Sequence, residues 1–427
     1  MEKTCSLPLS RGAEEGIRRL EAAGFAAYAV GGCVRDALLG KQPHDFDLCT
    51  AAEPRAICGV FEGERLFTAG LRHGTVGVIL GGEALEITSF RADGGYSDGR
   101  HPDSVRFTDR LEEDLGRRDF TVNAMAYHPE RGLVDLFGGQ RDLSEGVIRC
   151  VGEPEVRFSE DALRILRALR FSAALGFRIE TETEAALFRE AHRLSAVAPE
   201  RIREEVCGLL RGRSASAAVE RYASVLSVLF PELGDTLCTE TGHRALCVLE
   251  SAACPERVRL AYFVLLAAGG DAGRVPALAR RLRLPEKTVS EFSVLVSAGS
   301  VPCSLPELRW FLHVHGGGDG ILALTEELLC AEEALGGEVS GGRQMLARIR
   351  QEKLCFERNG TYGLALDGSD LIRAGFAPGR GIGRILDGLL RQVTEEKLPN
   401  ERDALLAAAI GMEKSHPPRL TDRDAGF

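Results

Sequence analysis

The spacing of apolar residues changes once along this chain of 427 residues, near Pro154. From Phe25 to about Cys150, short β-type runs alternate with turns rich in glycine, aspartate and proline. Beyond Pro154 the chain is rich in leucine, alanine, arginine and glutamate at helical spacing. Because a run of strands followed by a run of helices is typical of α+β folds, the sequence predicts an α+β domain followed by an all-helical remainder.

Glycine clusters mark further boundaries within the helical part. They occur at residues 269–270, 316–318, 336–337 and 341–342. At about 150 residues per domain, the length suggests roughly three domains. We predict an α+β head with a small mixed or antiparallel sheet over residues 1–150, and helical segments over residues 151–212, 213–335 and 336–427.

The composition excludes several classes of protein. A hydrophobic fraction of 44% and a charged fraction of 27% match ordinary globular domains and exclude collagen-like or largely disordered chains. The longest uncharged apolar run, Leu260 to Gly270, is far shorter than the ~20 residues that cross a bilayer. The 12 cysteines include no C-x-x-C pair, which argues against a zinc site or a disulfide scaffold. We expect a cytoplasmic protein without membrane contacts.

The first stretch with chemical content is AAYAVGGCVRDALLG. An apolar strand that ends at Val30 leads into Gly31 and Gly32, and a short helix that contains Arg35 follows. Glycines let phosphate oxygens approach the backbone amides, and a helix N-terminus favours negative charge. The turn therefore indicates a phosphate site, and the alternative is a plain turn with a structural pair between Arg35 and Asp36.

Two predicted strands carry acids. In HDFDLCT, Asp45 and Asp47 are two residues apart and therefore point to the same face. In ALEITSFR, Glu86 lies on the face opposite to Leu85 and Ile87, on a strand that we expect beside the first. Because Mg²⁺ prefers carboxylate oxygens, and two ions ~4 Å apart clamp the oxygens of a phosphoryl displacement, these acids predict a two-Mg²⁺ site. A solvated edge strand is the alternative in each case.

A third segment, RRDFTVNAMAY, places Arg117, Arg118 and Asp119 before an alternating run. The loop before it, residues 92–104, is rich in glycine and aspartate and contains Tyr96 and Arg100. Loops of this kind beside active sites commonly close over substrates. We interpret the loop as a mobile cover, with a plain surface hairpin as the alternative.

A fourth segment, SEDALRILRALRF, predicts a helix from about Ser159 to Phe171. At 100° per residue, one face carries Asp161, Arg164, Arg167 and Ala168, while the opposite face is apolar. An Asp–Arg pair at this spacing is ordinarily a weak surface interaction, which is the alternative to a binding role.

Taken together, the segments resemble the tRNA nucleotidyltransferase and poly(A) polymerase family, and within it the bacterial-type (class II) CCA-adding enzymes. The resemblance rests on ordered motifs, namely GGCVRDALLG, HDFDL, HGTVGV, LEITSFR, RRDFTVNA, GLVDLFGGQRDLSEGVIR, EDALRILRALRF and PERIREEV. These motifs extend from about Val30 to Val206, and a weaker likeness continues in LDGSDLIRAGFAPGRGIGRILDGLL. The resemblance implies a nucleotidyltransferase head followed by an all-α neck, body and tail.

Roles are carried over only at matching positions. The resemblance implies that Asp45 and Asp47 bind the metal and that Glu86 completes the catalytic acids. It implies nucleotide contacts for Gly31, Gly32, Arg35, Arg118, Asn123, Asp161, Arg164 and Arg167. Within that set, the resemblance implies that the glycine turn faces the triphosphate and that Asp161 and Arg164 template the base. The motif at residues 201–205, outside that set, would support the nucleotide pocket.

Side-chain chemistry gives the template role a physical basis. Cytosine and adenine each present an amino donor beside a ring-nitrogen acceptor, so a carboxylate beside a guanidinium matches both. Guanine and uracil present the reverse pattern and would leave buried polar groups unpaired. One pair formed by Asp161 and Arg164 would therefore admit C and A and reject G and U.

The resemblance implies metal-assisted nucleotidyl transfer from CTP and ATP to the 3′-hydroxyl of tRNA, with two Mg²⁺ ions and release of pyrophosphate. The helical remainder would position the tRNA by shape and backbone contacts, and Arg373, Arg380 and Arg384 are candidate phosphate contacts in the tail. In the family, loss of the loop marks enzymes that add only C, so the loop retained here implies addition of the terminal A.

Three alternatives stay open. An enzyme that adds only the terminal A has closely similar motifs. Poly(A) polymerase is disfavoured by the net charge of −10, since binding arbitrary RNA favours dispersed positive charge, although a local basic groove remains compatible with that total. A noncatalytic RNA-binding protein is disfavoured by the intact acids Asp45, Asp47 and Glu86.

Overall fold

The computed structural model describes residues 7–43, 45–94, 105–297, 306, 310, 319–337, 339–351 and 364–415. The chain divides into two compact units. The first unit comprises Met1–Leu246, Leu266–Gly270 and Leu278–Leu284, and the second comprises Cys247–Leu265, Asp271–Ala277 and Pro285–Phe427. The predicted division into head, neck, body and tail is not the same partition, and it stays a prediction.

A seven-stranded mixed sheet forms the centre of the first unit, as the predicted α+β head requires. Eleven strands are described, namely β1 (Ala27–Val30), β2 (Asp47–Thr50), β3 (Arg65–Phe67), β4 (Thr75–Leu80), β5 (Glu83–Ser89), β6 (Arg91–Asp93), β7 (Val105–Phe107), β8 (Met125–His128), β9 (Gly132–Asp135), β10 (Val147–Ile148) and β11 (Arg178–Ile179). The order in the sheet is β3-β4-β5-β2-β1-β8-β9, and only β2 and β5 pair in parallel there. Two small pairs, β6 with β7 and β10 with β11, lie outside it.

Helices follow and flank the sheet in the first unit. The helices used below are α1 (Arg11–Ala22), α2 (Gly32–Leu38), α3 (Pro54–Val60), α4 (Leu111–Gly116), α5 (Gly139–Glu145), α6 (Pro154–Glu160), α7 (Leu163–Leu175), α8 (Thr181–Glu190) and α9 (Pro199–Leu210). Short 3₁₀ turns occupy Leu71–His73, Thr121–Asn123, Ala191–Ala196 and Ala272–Arg274. The later described helices are Ala215–Arg221, Ala223–Leu226, Leu233–Leu237, Glu240–Glu250, Glu256–Ala267, Val275–Arg281, Glu286–Ser297, Asp319–Ala334, Ser340–Gln351, Gly368–Arg373, Arg380–Thr394 and Arg402–Ser415.

Helix α1 covers one face of the sheet and was not predicted. Ala13, Ile17 and Leu20 are buried at spacings of four and three, which places them on one stripe of the helix. At Gly16 the helix approaches strand β2 so closely that an added Cβ would lie 2.8 Å from the Leu48 Cδ1 atom. The glycine therefore permits the close approach of α1 to the strand that begins at Asp47.

Two predicted elements differ from the structure. Thr121–Asn123 forms a 3₁₀ turn, so the run expected to alternate from Phe120 becomes a strand only at Met125. The helix expected from Ser159 to Phe171 is two helices, because α6 ends at Glu160 and α7 begins at Leu163. At the break, Asp161 has an extended backbone with φ −148°, and its carboxylate accepts a hydrogen bond from the Leu163 N–H.

The physical reason for the break is competition by a short polar side chain. Aspartate hydrogen-bonds nearby backbone N–H groups in non-helical conformations, so it favours helix starts over helix interiors. A second correction follows from the packing, because Ala168, expected on the charged face, is fully buried.

The second unit contains a small core of its own. Its buried members are Leu366, Leu371, Phe376, Leu389, Leu405 and Ala409. A reciprocal pair of hydrogen bonds between Asp367 and Asp370 caps the helix Gly368–Arg373 at its N-terminus. Among the described helices, we find none long and apolar enough to span a bilayer.

Candidate active site

The three predicted acids come together near the middle of the sheet, at the start of β2. Strands β2 and β5 run in parallel, and Asp47 pairs directly with Glu86. Strand β2 begins at Asp47, so Asp45 and Phe46 precede the strand instead of lying within it. Each of the three residues keeps an exposed surface, although neighbouring groups partly withdraw Asp47 from water. The predicted adjacency of the two acidic strands is confirmed.

The charges of Glu86 and Asp45 act on the ionisation of Asp47. Withdrawal from water raises the pKa of Asp47, the neighbouring charges of Glu86 and Asp45 raise it further, and the charge of Arg118 lowers it. Each of these effects depends on short distances, so the carboxylates form one cluster of like charge. A cation between them would relieve this repulsion.

The donor set fits Mg²⁺. Within the described ranges no ion pair occupies Asp45, Asp47 or Glu86, so their oxygens remain available to a hard cation. Across the same ranges, no three His, Cys, Asp or Glu side chains lie close enough together to hold a metal ion by themselves, so a cation here would need ligands from water and substrate as well. An open carboxylate cluster suits Mg²⁺, which keeps several waters and takes further ligands from substrate phosphates.

The glycine turn lies between this cluster and the arginines. Gly31 has φ 80° and ψ −129°, a conformation that side chains other than glycine avoid. A Cβ built there would meet the Arg118 Nη1 atom at 3.3 Å. Arg35, on the helix that follows, binds Asp36 and also donates to the Asn123 Oδ1 atom at 2.8 Å. The structural pair and a contact toward the nucleotide motif are thus both present.

Asp114, which sequence reasoning missed, fixes two arginines of the nucleotide motif. Its carboxylate is fully buried and accepts from Arg117 at 2.6 Å and from Arg118 at 3.1 Å. Burial acts to raise the pKa of Asp114, but the two guanidinium charges and their hydrogen bonds lower it overall. The signal was present in the spacing, since positions three and four residues after an acid on a helix lie beside it.

A cavity of about 260 Å³ opens beside these arginines. Five arginines and two aspartates provide most of its lining, which comprises Arg117, Arg118, Asp119, Asp161, Leu163, Arg164, Arg167 and Arg201. Such an excess of guanidinium groups favours a polyanion, and arginine presents forked donors that match phosphate oxygens. The two carboxylates supply acceptors within the same cavity.

The two template candidates face the cavity but bind other partners. The carboxylate of Asp161 accepts two hydrogen bonds from Arg201 on α9, at 2.7 and 3.3 Å. Arg164 binds Glu160 at 2.6 Å and donates to the Arg117 carbonyl at 3.0 Å. The arrangement predicted from the family, a carboxylate beside a guanidinium, is present, but the guanidinium bound to Asp161 belongs to Arg201.

A chain of hydrogen bonds connects the glycine turn to α7. Asn123 accepts from Arg35 and donates to the Asp119 Oδ1 atom at 3.2 Å. The other oxygen of Asp119 accepts from Arg167 at 2.6–2.7 Å. Burial acts to raise the pKa of Asp119, whereas Arg167, Asn123 and the Phe120 amide lower it overall, so this carboxylate stays charged.

Most predicted site residues therefore lie together in the first unit. The acids are on β2, β5 and the segment before β2, and the nucleotide candidates surround the cavity or connect to it through Asn123. Sequence reasoning named Arg117 and Asp119 without a role and did not identify Asp114. Of the loop over residues 92–104, the stretch that contains Tyr96 and Arg100 lies outside the described residues.

Comparisons with known proteins match this geometry. Three family models match the chain, namely the poly A polymerase head domain over residues 27–149, "Probable RNA and SrmB- binding site of polymerase A" over residues 176–237, and tRNA nucleotidyltransferase domain 2 over residues 347–409. The CCA-adding enzyme of Latilactobacillus sakei is 36% identical over 400 residues, which cover 92% of this chain and 96% of that enzyme. The chain belongs to the CCA-adding enzyme family.

Other CCA-adding enzymes are similar over part or most of the chain. The CCA-adding enzyme of Leuconostoc mesenteroides is 50% identical over 204 residues, or 48% of this chain and 50% of that enzyme. The crystal structure of the Bacillus stearothermophilus CCA-adding enzyme in complex with CTP is 30% identical, with a TM-score of 0.78 over 95% of this chain and 98% of that one. The Thermotoga maritima CCA-adding enzyme complexed with tRNA_CCA shares the fold, at 23% identity and a TM-score of 0.58 over 93% of this chain and 94% of that one.

Proposed function

We propose that this chain is a template-independent tRNA nucleotidyltransferase that adds CCA to the tRNA 3′ end from CTP and ATP and releases pyrophosphate. One observation carries the proposal. The paired acids Asp47 and Glu86 lie close enough to Arg118 for its charge to act on Asp47, and Arg118 also lines the arginine-rich cavity. Acids that suit a metal thus adjoin guanidinium groups that suit a triphosphate, as transfer from a nucleoside triphosphate requires.

The acids, the glycine turn and the arginines each have a separate role in the proposed reaction. When bound, two Mg²⁺ ions held by Asp45 and Asp47 would make the tRNA 3′-hydroxyl a better nucleophile and neutralise the departing pyrophosphate. Glu86 adds negative charge beside Asp47 and tightens the hold on a cation. The amides of Gly31 and Gly32 and the arginines of the cavity would bind and orient the triphosphate.

The base would be selected by the polar groups at the break between α6 and α7. Asp161 offers acceptor oxygens, while Arg164 and Arg201 offer donors on the same cavity wall. C and A present a donor beside an acceptor and satisfy both kinds of group, whereas G and U present the reverse order. Rejection of G and U follows from the cost of leaving buried polar groups unpaired.

The helical part would position tRNA. Arg384 is exposed at the start of the helix Arg380–Thr394, whereas Arg373 pairs with Asp370 at 2.8 Å. The side chain of Arg380 is outside the described part of the chain. Backbone contacts of this kind hold an RNA without reading its sequence. The cytoplasmic location remains a prediction.

The decisive experiment offers three tRNA transcripts to the purified protein with Mg²⁺. The transcripts end before CCA, after C and after CC, and CTP, ATP, GTP and UTP are supplied singly, with CTP and ATP also supplied together. Growth of all three to CCA followed by a stop supports the proposal. Extension of only the CC-ended tRNA by one A would instead identify an A-adding enzyme, and long A ladders would identify a poly(A) polymerase.

An Asp45→Ala variant tests the remaining class of function. Loss of incorporation with retained tRNA binding excludes a noncatalytic RNA-binding protein, since only catalysis needs the carboxylate. Equal incorporation by Asp45→Ala and the parent chain would contradict the assignment of the metal site.

A further inference from the structure

Phe171 has an unusual set of neighbours for a buried aromatic residue. It lies on α7 with 6% of its surface exposed. Three guanidinium groups lie near its ring, with Cζ-to-centroid distances of 5.3 Å for Arg35, 5.4 Å for Arg167 and 4.3 Å for Arg170. A guanidinium within about 6 Å of an aromatic face is attracted by the ring quadrupole. One ring therefore contacts three cations.

The three arginines come from different parts of the unit. Arg35 is on α2, directly after the glycine turn, whereas Arg167 and Arg170 are on the same helix as the ring. Arg170 is held by Glu205 on α9 at 2.6 Å. The ring thus lies between the turn beside the acids and the helix that lines the cavity.

A chain of hydrogen bonds also connects Arg35 with Arg167. Arg35 binds Asn123, Asn123 binds Asp119, and Asp119 binds Arg167. Arg35 and Arg167 are therefore fixed twice, once through this chain and once through contact with Phe171. Like charges so close together repel, and both the ring and the buried carboxylate offset that repulsion.

We propose that Phe171 is a positioning residue that holds Arg35 and Arg167 at the separation needed to bind one triphosphate. The inference rests on the proposed function, because the ring touches the arginines and not the reacting atoms. Exposed fractions of 12% for the Arg35 side chain and 33% for that of Arg167 leave donors open to a ligand. An ordinary core phenylalanine would act only through apolar burial, and this difference is testable.

The test compares Phe171→Leu with Phe120→Leu. Both residues are buried, and their rings pack edge to face at 5.8 Å, so each change opens a similar space in the same core. Of these two rings, only that of Phe171 lies near guanidinium groups in the described part of the chain. If Phe171→Leu does not accumulate as folded protein, Phe171→Met, whose unbranched side chain adapts more readily to the space left by the ring, replaces it.

Inorganic tripolyphosphate is the probe for the arginines. We expect Phe171→Leu to raise the dissociation constant for tripolyphosphate and the KM for CTP and ATP by about tenfold, while the KM for tRNA stays unchanged. Phe120→Leu should lower the melting temperature by a similar amount but change these constants less than twofold. Equal effects of the two variants on tripolyphosphate would show that packing alone matters and would overturn the inference.

Tripolyphosphate binding also separates this inference from the proposed function. If the parent chain binds tripolyphosphate, and Phe171→Leu weakens that binding, but no CTP or ATP enters tRNA, the proposed function fails while the positioning role stands. If the parent chain completes CCA and Phe171→Leu binds tripolyphosphate as the parent does, the positioning role fails alone.

Discussion

At the scale of single residues, buried carboxylates keep the arginines of the site in place. Asp114 is fully buried between Arg117 and Arg118, and its pKa lies below the ordinary value of 3.8. A carboxyl group whose pKa is lowered by folding stabilises the protein above its unfolded pKa, and that contribution is lost as the pH falls through its folded pKa. The buried charge is therefore a source of stability at neutral pH.

Asp114→Asn should destabilise the protein by about 3 kcal/mol at pH 7, because two guanidinium groups lose their buried counter-charge. The difference from the parent chain should shrink as the pH falls below about 4, because the carboxyl of the unfolded parent then takes up a proton while the folded carboxyl, with its lower pKa, stays charged until a lower pH. Urea unfolding at a series of pH values measures both effects. Asp403→Asn, at an exposed position, is the control and should be neutral. A difference that persists unchanged at pH 3 would contradict the role of charge.

Glu86 pairs directly with Asp47, which places it in the proposed metal site. Glu86→Gln removes one negative charge beside that residue, so we expect incorporation of CTP and ATP to fall about 10- to 100-fold. The Mg²⁺ concentration needed for half-maximal rate should rise as well. Steady-state rates across a Mg²⁺ series measure this change. Glu62→Gln, the same substitution at an exposed acid outside the cluster, is the control and should have the activity of the parent chain. An equal loss of activity in both variants would rule out a specific role of Glu86 beside Asp47.

Single residues also show what the sequence could and could not predict. The period of two in a strand placed Glu86 on the face opposite Leu85 and Ile87, and the two acidic strands were expected to be neighbours, but the direct pairing of Asp47 with Glu86 was not specified. The contact of Asp161 with Arg201 spans 40 residues and depends on how α7 and α9 pack. No local pattern specifies such a partner, so the sequence identified both motifs but not the bond between them.

At the scale of elements, the turn between β1 and α2 combines two constraints. Gly31 has a positive φ, and its missing Cβ leaves room for Arg118. Gly31→Ala should therefore lower stability by about 1–2 kcal/mol and should also raise the KM for CTP and ATP. Thermal unfolding and nucleotide titration measure the two effects separately.

Gly24→Ala is the matched control for backbone strain. Gly24 also has a positive φ of 87°, but no atom lies within 4 Å of a built Cβ. This variant should lose stability without a change in KM. If Gly31→Ala lost stability alone, the contact with Arg118 would have no part in nucleotide binding.

Arg201 on α9 holds the Asp161 carboxylate at the break between α6 and α7. Arg201→Lys should replace a forked contact with a single one and leave Asp161 poorly oriented. We expect kcat/KM for CTP and ATP to fall about tenfold and the relative use of UTP and GTP to rise. Single-nucleotide incorporation assays measure both. Arg18→Lys, which breaks a forked pair with Glu15 on the surface, is the control and should change neither kcat/KM nor the choice of nucleotide. Unchanged nucleotide discrimination in Arg201→Lys would contradict a role of this contact in base selection.

The observed helices and strands differ from the predicted ones where the periodic pattern is weak or where a capping residue opposes the helix preference of its neighbours. Strands with clear alternation, such as β4 and β5, were located within one residue of their ends. The edge strands β3 and β9 were missed, because short stretches carry little periodic signal, and helix α1 was missed although its buried residues follow helical spacing. The break at Asp161 was missed because the arginines on either side favour helix and hide a residue that caps one.

At the scale of the whole molecule, a protein with a net charge of −10 is proposed to bind a polyanion. Such binding needs local clusters of arginine, and it should weaken with salt in proportion to the phosphates contacted. Arg384→Gln should reduce the slope of log K against log salt for tRNA by about 0.7–0.9, with no change in KM for CTP. Filter binding across a salt series measures the slope. Arg373→Gln is the control and should leave the slope unchanged, since Arg373 is already paired with Asp370. Equal slopes for the parent chain and Arg384→Gln would contradict a contact between Arg384 and a tRNA phosphate.

The parallel pairing of β2 with β5 has a consequence for how activity arises during folding. Antiparallel neighbours can be joined by a tight hairpin, whereas a parallel pair needs a crossover, and here the chain passes through α3, β3 and β4 between the two strands. Asp47 and Glu86 therefore meet only after this crossover has packed against the sheet. We therefore expect a nascent or partly unfolded chain, which lacks the assembled acids, to be inactive in nucleotide transfer until the complete domain exists to select an RNA.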